Sequence, residues 1–252
     1  MSSNENSLKN KAYTKLSIIM PVYNEEKTLQ AAVEAVLNAP TGIPLSKELI
    51  MVNDGSLDQS WKIMNKLATE YPDKIKVYQN PKNMGKGAAL KIGIKNATGD
   101  ILLFQDADLE YSPDDYPSLL SPILDGKADM VFGSRFAGGH GARRVLYFWH
   151  SLGNKGLTLL SNMLNDLNLT DMETCYKVFL TKKLQSLNLE SNRFGIEPEI
   201  TAKAARMKWR IYEVPIVYFG RTYEEGKKIT WKDGISAFYW IFYHRFISQV
   251  QK

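Results

Sequence analysis

The chain has 252 residues, 44% of them hydrophobic and 11% aromatic, which is enough to bury one substantial core and excludes a disordered protein. A single cysteine, Cys175, excludes an internal disulfide framework and any multi-cysteine zinc site and fits a reducing compartment, and the three scattered histidines suggest no ligand cluster. The net charge of +5 is uneven: residues 203–252 hold ten Lys/Arg against four Asp/Glu, a local +6 that leaves −1 for the rest, and such a basic end fits nucleic acid, an anionic membrane surface or a phosphorylated substrate.

Residues 1–13 carry little apolar content and read as a loose lead-in; they lack the apolar stretch of a signal peptide, so a cytosolic chain is expected. Short apolar runs then alternate with helical patterns, the rhythm of a parallel sheet with crossover helices. Strands are expected at residues 16–22, 48–52, 75–78 and 101–104, with helices at 25–38, 58–71 and 86–97 between them. A helix starting at Pro113 and a strand at 128–132 follow. After Arg135 the rhythm breaks at the glycine-rich stretch 138–141, and a long helix is expected over 145–164. The last third reads as a helix near 197–207, a strand at 211–219, a polar loop and a terminal aromatic helix over 229–247. One domain, residues 14–228, with a C-terminal amphipathic helix at 229–252, is the resulting organisation.

Asp106-Ala107-Asp108 follows the run at 101–104 directly. In a doubly wound sheet, ligands sit beyond the carboxyl ends of the strands, where this pair would emerge. Two neighbouring carboxylates resist ionisation together unless a cation or several donors compensate. With oxygen donors alone, that cation is magnesium or manganese rather than zinc, and Glu110 offers a third oxygen. Taken by itself, Asp-x-Asp after a strand is equally a turn or a helix cap. It does not stand by itself: Pro21-Val22-Tyr23-Asn24-Glu25 follows the first strand, Asn53-Asp54-Gly55-Ser56 follows the second, and Asn83-Met84-Gly85-Lys86-Gly87 precedes a helix, all on one rim of the inferred sheet. No Gly-x-Gly-x-x-Gly follows the first strand, which removes a nicotinamide-binding reading.

The segments MPVYNEE, VNDGSLD, NMGKGAAL, DADLEY and FGSRF resemble the successive signatures of the family 2 glycosyltransferases, and within them those of the dolichyl-phosphate and polyprenyl-phosphate sugar synthases. The likeness runs from about residue 16 to 245. It implies a GT-A fold, that is an α/β architecture with a mostly parallel central sheet flanked by helices, a GDP- or UDP-linked sugar donor, inversion at the anomeric carbon, a polyprenyl phosphate acceptor, and no nucleic acid. Carried over residue by residue, Pro21, Tyr23, Glu25 and Asp54 would line the nucleobase and ribose pocket, Lys86 would sit near the donor, and Asp106 and Asp108 would hold Mg2+ or Mn2+. Arg135 and the basic loop with Arg221, Lys227 and Lys228 would take the acceptor phosphate, a chemistry that suits arginine forks and ammonium groups. If a base is needed, Glu199 and Asp171 match acceptor-side positions of the family, with Glu197 as an alternative or simply an acidic first-turn residue.

The terminal helix has no uninterrupted apolar stretch near the roughly 20 residues that a membrane span needs. Attachment to the cytosolic face of a membrane, burial against the domain, a homodimer contact and recruitment by a membrane protein all remain open for it. Two rivals accompany the polyprenyl phosphate reading. One is transfer to a sugar hydroxyl in polysaccharide or glycolipid assembly. The other is a non-catalytic nucleotide sugar binder, which the intact aspartate pair disfavours.

Overall fold

A computed structural model of the protein describes residues 13–138, 144, 147–221 and 231–248. Lys227 and Lys228, the lead-in up to residue 12 and the glycine loop at 139–141 lie outside the described residues. In chain order the first half forms β1 (Lys15–Val22), α1 (Leu29–Asn38), β2 (Ser46–Asn53), α2 (Ser60–Glu70), β3 (Ile75–Gln79), α3 (Lys86–Asn96) and β4 (Ile101–Phe104). A 3-10 turn at Pro113–Asp115 leads into α4 (Tyr116–Leu124), β5 (Met130–Ser134) and α5 (Phe148–Asn165). They are followed by β6 (Lys177–Leu180), α6 (Thr181–Gln185), α7 (Ile196–Arg206), β7 (Ile211–Pro215) and α8 (Trp231–Phe246).

The seven strands make one sheet of order β3-β2-β1-β4-β6-β5-β7. Neighbours run parallel except at β6, which is antiparallel to both β4 and β5. Leu16, Ile18, Ile19 and Met20 of β1 and all four residues of β4 are fully buried. Strands covered on both faces read as continuous apolar runs, which is why these two are plain in the sequence; each buried Ile, Leu or Phe contributes about 2 kcal/mol. Helices α1 and α2 touch each other, while α3 packs over β1 and β2; right-handed crossovers are the rule for such parallel units.

Two expected elements differ, and two further ones are present. The first helix begins at Leu29, because Asn24 takes a left-handed backbone (φ 52°) and residues 23–28 form turns. The last strand stops at Pro215, after which Tyr218 forms an isolated antiparallel bridge with Tyr111. The short pair β6 and α6 was not anticipated.

Helix α8 buries one face. Ala237, Ile241 and His244 are buried, His244 Nε2 lies 2.9 Å from Ser191 Oγ, and Trp240 stacks on the imidazole with ring centroids 5.3 Å apart. Burial, with Lys203 adding to it, pulls the His244 pKa down to about 4 against the opposing pull of Glu199 and Glu190. The folded protein therefore keeps this histidine neutral where the unfolded chain protonates it below pH 6.5 or so, and stability falls as pH drops from about 6.5 towards 4. Between pH 7 and 5 the loss attributable to His244 should be about 2 kcal/mol at most. Urea midpoints of the wild type and His244→Asn at the two pH values check this: the variant should show the shallower decline, and equal declines would contradict it.

Candidate active site

The strand order reverses between β1 and β4: the chain leaves β1 for β2 on one side, whereas β4 lies on the other. The crevice beyond the carboxyl ends of such a pair is where open α/β sheets bind ligands. Here β1 delivers Tyr23 to Glu25 and β4 delivers Gln105 to Glu110. The first rim is stitched to the loop after β2 and to the start of α2, since the Asn24 and Glu25 amides donate to Ser56 Oγ (3.0 Å) and Ser60 Oγ (2.9 Å).

A cavity of about 490 Å3 opens at this crevice and is lined by Pro21, Tyr23, Glu25, Asp54, Lys86, Asp106 and Asp108 among others, so the sequence-derived donor residues do converge. Asp54 is buried and accepts hydrogen bonds from Asn80 Nδ2 (2.7 Å) and the amides of Met84 (2.9 Å) and Gly85 (2.8 Å). In this geometry it shapes the turn that starts α3. Gly85 has φ 100°, a backbone state that side chains rarely adopt, and a Cβ on Gly87 would stand 2.5 Å from Ser191 O. The two glycines thus let the start of α3 press against the backbone of residues 191–193, and the Ala88 amide donates to Asn192 O at 2.9 Å. Arg193 and Phe194 complete that wall of the cavity.

The acidic segment is compensated by two cationic side chains. Lys86 Nζ lies 2.9 Å from Asp106 Oδ1. Burial lowers the Lys86 pKa, but Asp106 with Cys175 and Glu197 more than offsets it, and the ammonium is held above its ordinary range. Arg221 reaches Asp108 (2.8 Å), Glu110 (3.1 Å) and Glu25 (3.6 Å). Burial, followed by Asp106 and Glu110, still pushes the Asp108 carboxyl up to about 7 against the pull of Arg221. A like-charge cluster of hard oxygens, short of positive charge at a cavity wall, fits a divalent cation. Among the described residues no three His, Cys, Asp or Glu converge on one point. The share offered by this chain would be one or two carboxylates, as in magnesium sites completed by substrate phosphates and water.

A second cavity, of about 660 Å3, adjoins the first and shares Lys86, Asp106, Asp108 and Tyr218 with it. Arg135, Glu173, Cys175 and Glu197 line its interior, with Tyr147 just before α5, Trp149 and Leu157 along that helix, and Gly234 and Ala237 from α8. Arg135 is buried, and Asp171 grips it side-on through Nε and Nη2, both at 2.7 Å. Its guanidinium carbon stands 5.3 Å from the Tyr218 ring centroid. Burial first, then Glu197, raises the Glu173 pKa to about 7 against the pull of Lys177 and Arg135.

Four expectations change. Arg221 lines the first cavity among carboxylates and not the second, because the chain after Pro215 turns back over the 106–111 loop; the Phe219 amide donates to Glu110 O at 2.8 Å. Glu110 spends its oxygens on Tyr218, the Arg221 amide and the Arg221 side chain, so it anchors that turn instead of presenting a third metal oxygen. Glu199 lines neither cavity: it is fully buried and accepts from Lys203 (2.6 Å) and the amides of Glu190 (2.7 Å) and Ser191 (2.8 Å). Asp171 is likewise fully buried, lines neither cavity and has its carboxylate oxygens bonded to Arg135. Glu173, Tyr218, Phe194 and His150 also reach the cavities; the sequence signal for Glu173 is its place two residues after Asp171 in the segment TDMETCYK.

Residues 17–187 match the model of glycosyl transferase family 2, and the chain belongs to that family. Its fold is the GT-A fold: glucosyl-3-phosphoglycerate synthase from Mycobacterium tuberculosis, crystallised with Mn2+, uridine diphosphate and phosphoglyceric acid, superposes with a TM-score of 0.71 at 19% identity, covering 96% of this chain and 82% of that one. A dolichol-phosphate mannosyltransferase of Pyrococcus furiosus is 30% identical over 217 residues, 84% of this chain and 59% of that protein. A dolichyl-phosphate beta-glucosyltransferase of Trichomonas vaginalis is 31% identical over 212 residues, 80% of this chain and 64% of that protein. The chain therefore spans less than two thirds of the length of these two relatives.

Proposed function

We propose that this chain transfers a sugar from a nucleotide diphosphate sugar to a polyprenyl phosphate at a membrane surface. The observation that carries the reading is the pair of adjoining cavities that meet at Asp106 and Asp108. The first has polar and aromatic groups for a nucleoside, and Lys86 and Arg221 for a diphosphate. The second has a buried arginine for another phosphate. The two curated relatives carry dolichyl phosphate sugar transfer in their names, which supports the same acceptor.

Asp106 and Asp108 would hold Mg2+ or Mn2+, which when bound offsets the negative charge that develops on the departing diphosphate. Lys86 and Arg221 pair with the diphosphate oxygens from either side of the carboxylates. Arg135, locked in orientation by Asp171, holds the acceptor phosphate, and the acceptor oxygen attacks the anomeric carbon opposite the leaving group, which inverts it. A phosphate monoester has its second pKa near about 6, so the nucleophile arrives ionised and needs positioning rather than a base.

The rim of the second cavity suits a lipid. Helix α5 turns Asn154, Thr158, Ser161 and Asn165 inward and leaves Phe148 (68% exposed), Leu152, Leu159 and Met163 outward, the reverse of an ordinary surface helix. Helix α8 exposes Phe238, Tyr239, Phe242 and Phe246 beside it. Among the described residues no helix is long and apolar enough to cross a membrane, so the attachment proposed is to the interface. Phe148→Asp combined with Leu152→Asp should abolish sedimentation with anionic phospholipid vesicles while leaving the circular dichroism spectrum unchanged; undiminished sedimentation would contradict it.

The acceptor is tested by offering purified protein labelled donor with a short polyprenyl phosphate. A charged labelled lipid is the expected product; no lipid product beside good transfer to an oligosaccharide would reassign the acceptor.

A further inference from the structure

Two carboxylates in the second cavity are not used by the transfer described above. Glu197 opens α7, and Glu173 lies in the loop between Asp171 and Cys175. Glu197 Oε2 accepts from the fully buried Lys177 ammonium, which also bonds Thr174 O and stands 5.1 Å from the Phe132 ring centroid. The Oε1 atoms of both glutamates are buried, and neither has a hydrogen bond among the described residues. Lys86 Nζ is 3.8 Å from Glu197 Oε1 and 2.9 Å from Asp106 Oδ1, so this acidic floor adjoins the end of the first cavity where the diphosphate is placed.

A buried oxygen without a donor costs on the order of 1–3 kcal/mol, so whatever occupies this floor must bring O–H or N–H groups. A phosphate ionised at neutral pH brings none and is repelled by the Glu197 carboxylate; it belongs with Arg135. With Lys86 Nζ 3.8 Å from Glu197 Oε1, a sugar ring attached to a diphosphate beside Lys86 would reach this floor, and it carries several hydroxyls. We propose that Glu173 and Glu197 are the subsite for the donor sugar, each Oε1 accepting a hydrogen bond from a ring hydroxyl, so that the chain selects a donor with free hydroxyls at two ring positions over its deoxy counterparts. Lys177 is a positioning residue that holds Glu197 in place. The inference rests on the transferase reading and specifies the part of the donor which that reading leaves open.

Isothermal titration in Mg2+ with UDP, GDP, UDP-glucose and GDP-mannose tests it. Glu173→Leu keeps the volume and removes the acceptor oxygen, and Glu173→Gln keeps an oxygen. In the Leu variant the bare diphosphate should bind within about twofold of wild type while the preferred nucleotide sugar binds about tenfold more weakly, and the Gln variant should recover most of that loss. A Leu variant that weakens diphosphate and nucleotide sugar alike, or neither, overturns the subsite but leaves the transferase reading standing. Wild type that binds no diphosphate overturns both. Should the Leu variant not fold, wild type with monodeoxy analogues of the preferred donor decides: at least one analogue must bind about tenfold more weakly, and uniform binding overturns the subsite.

Discussion

Asp108→Asn should lower the rate of sugar transfer at least about 100-fold while the thermal midpoint stays the same or rises. Asp108 is pressed by burial and by its neighbours Asp106 and Glu110, which raise its pKa to about 7, and Arg221 at 2.8 Å is its main compensation. An asparagine keeps an oxygen for Arg221 and removes a like charge from the cluster, so the fold loses nothing. What would be lost, on the proposed role, is a charged ligand facing the diphosphate, and removing one element of such preorganised stabilisation costs about 10²–10³ in rate. Transfer assays beside melting curves check the pair of outcomes. Near-normal transfer would contradict the role given to Asp108, whereas a collapsed midpoint would show that the side chain is structural.

Arg135→Ala should be the most destabilising of the substitutions considered, by about 3–5 kcal/mol, because it strands the fully buried Asp171 carboxylate without its cation. The double variant Arg135→Met with Asp171→Asn should recover most of that stability, since it removes both charges and leaves similar volumes. It should not recover transfer: the Michaelis constant for the acceptor rises while donor binding in the first cavity stays as in wild type. Urea denaturation with steady-state kinetics on the double variant separates the two contributions. Restored transfer would show that Arg135 serves the fold alone. Asp171→Asn by itself should leave the alkaline and acidic limbs of the pH profile in place if Asp171, bonded to Arg135 and buried away from both cavities, carries no proton in the reaction.

The first half of the sheet was legible because β1, β2 and β4 are covered on both faces and so read as unbroken apolar runs, and because glycine and asparagine mark their ends. Glu25 and Glu26 resemble a helix start, yet Asn24 bends the chain and the helix waits until Leu29. Strand β6 escaped notice since it is four residues long and opens on a lysine, and nothing local reveals that Lys177 is fully buried against Glu197 and Phe132. Ile216 to Phe219 continues the apolar pattern of β7, and only the partner at Tyr111 shows that the chain has left the sheet.

At the site, the aspartate pair and the donor rim were readable from their position after strands. The choice between Glu197 and Glu199 was not settled by motif likeness, although helical spacing held a clue: Glu199 and Lys203 are four residues apart and form an ion pair on the buried face of α7. Arg221 is assigned to the acceptor phosphate by likeness to the family's basic loop. Its own surroundings are acidic and come from residues more than a hundred positions away, information that a charge run does not carry.

Titration of UDP and of GDP into the wild-type protein, with Mg2+ or Mn2+ and then with excess chelator, tests the central claim most directly. One of the two diphosphates should bind with the cation present, at least about tenfold more tightly than without it, and Asp108→Asn should erase the difference. Diphosphate binding of equal strength with cation and with chelator would contradict the placement of a divalent ion at Asp106 and Asp108.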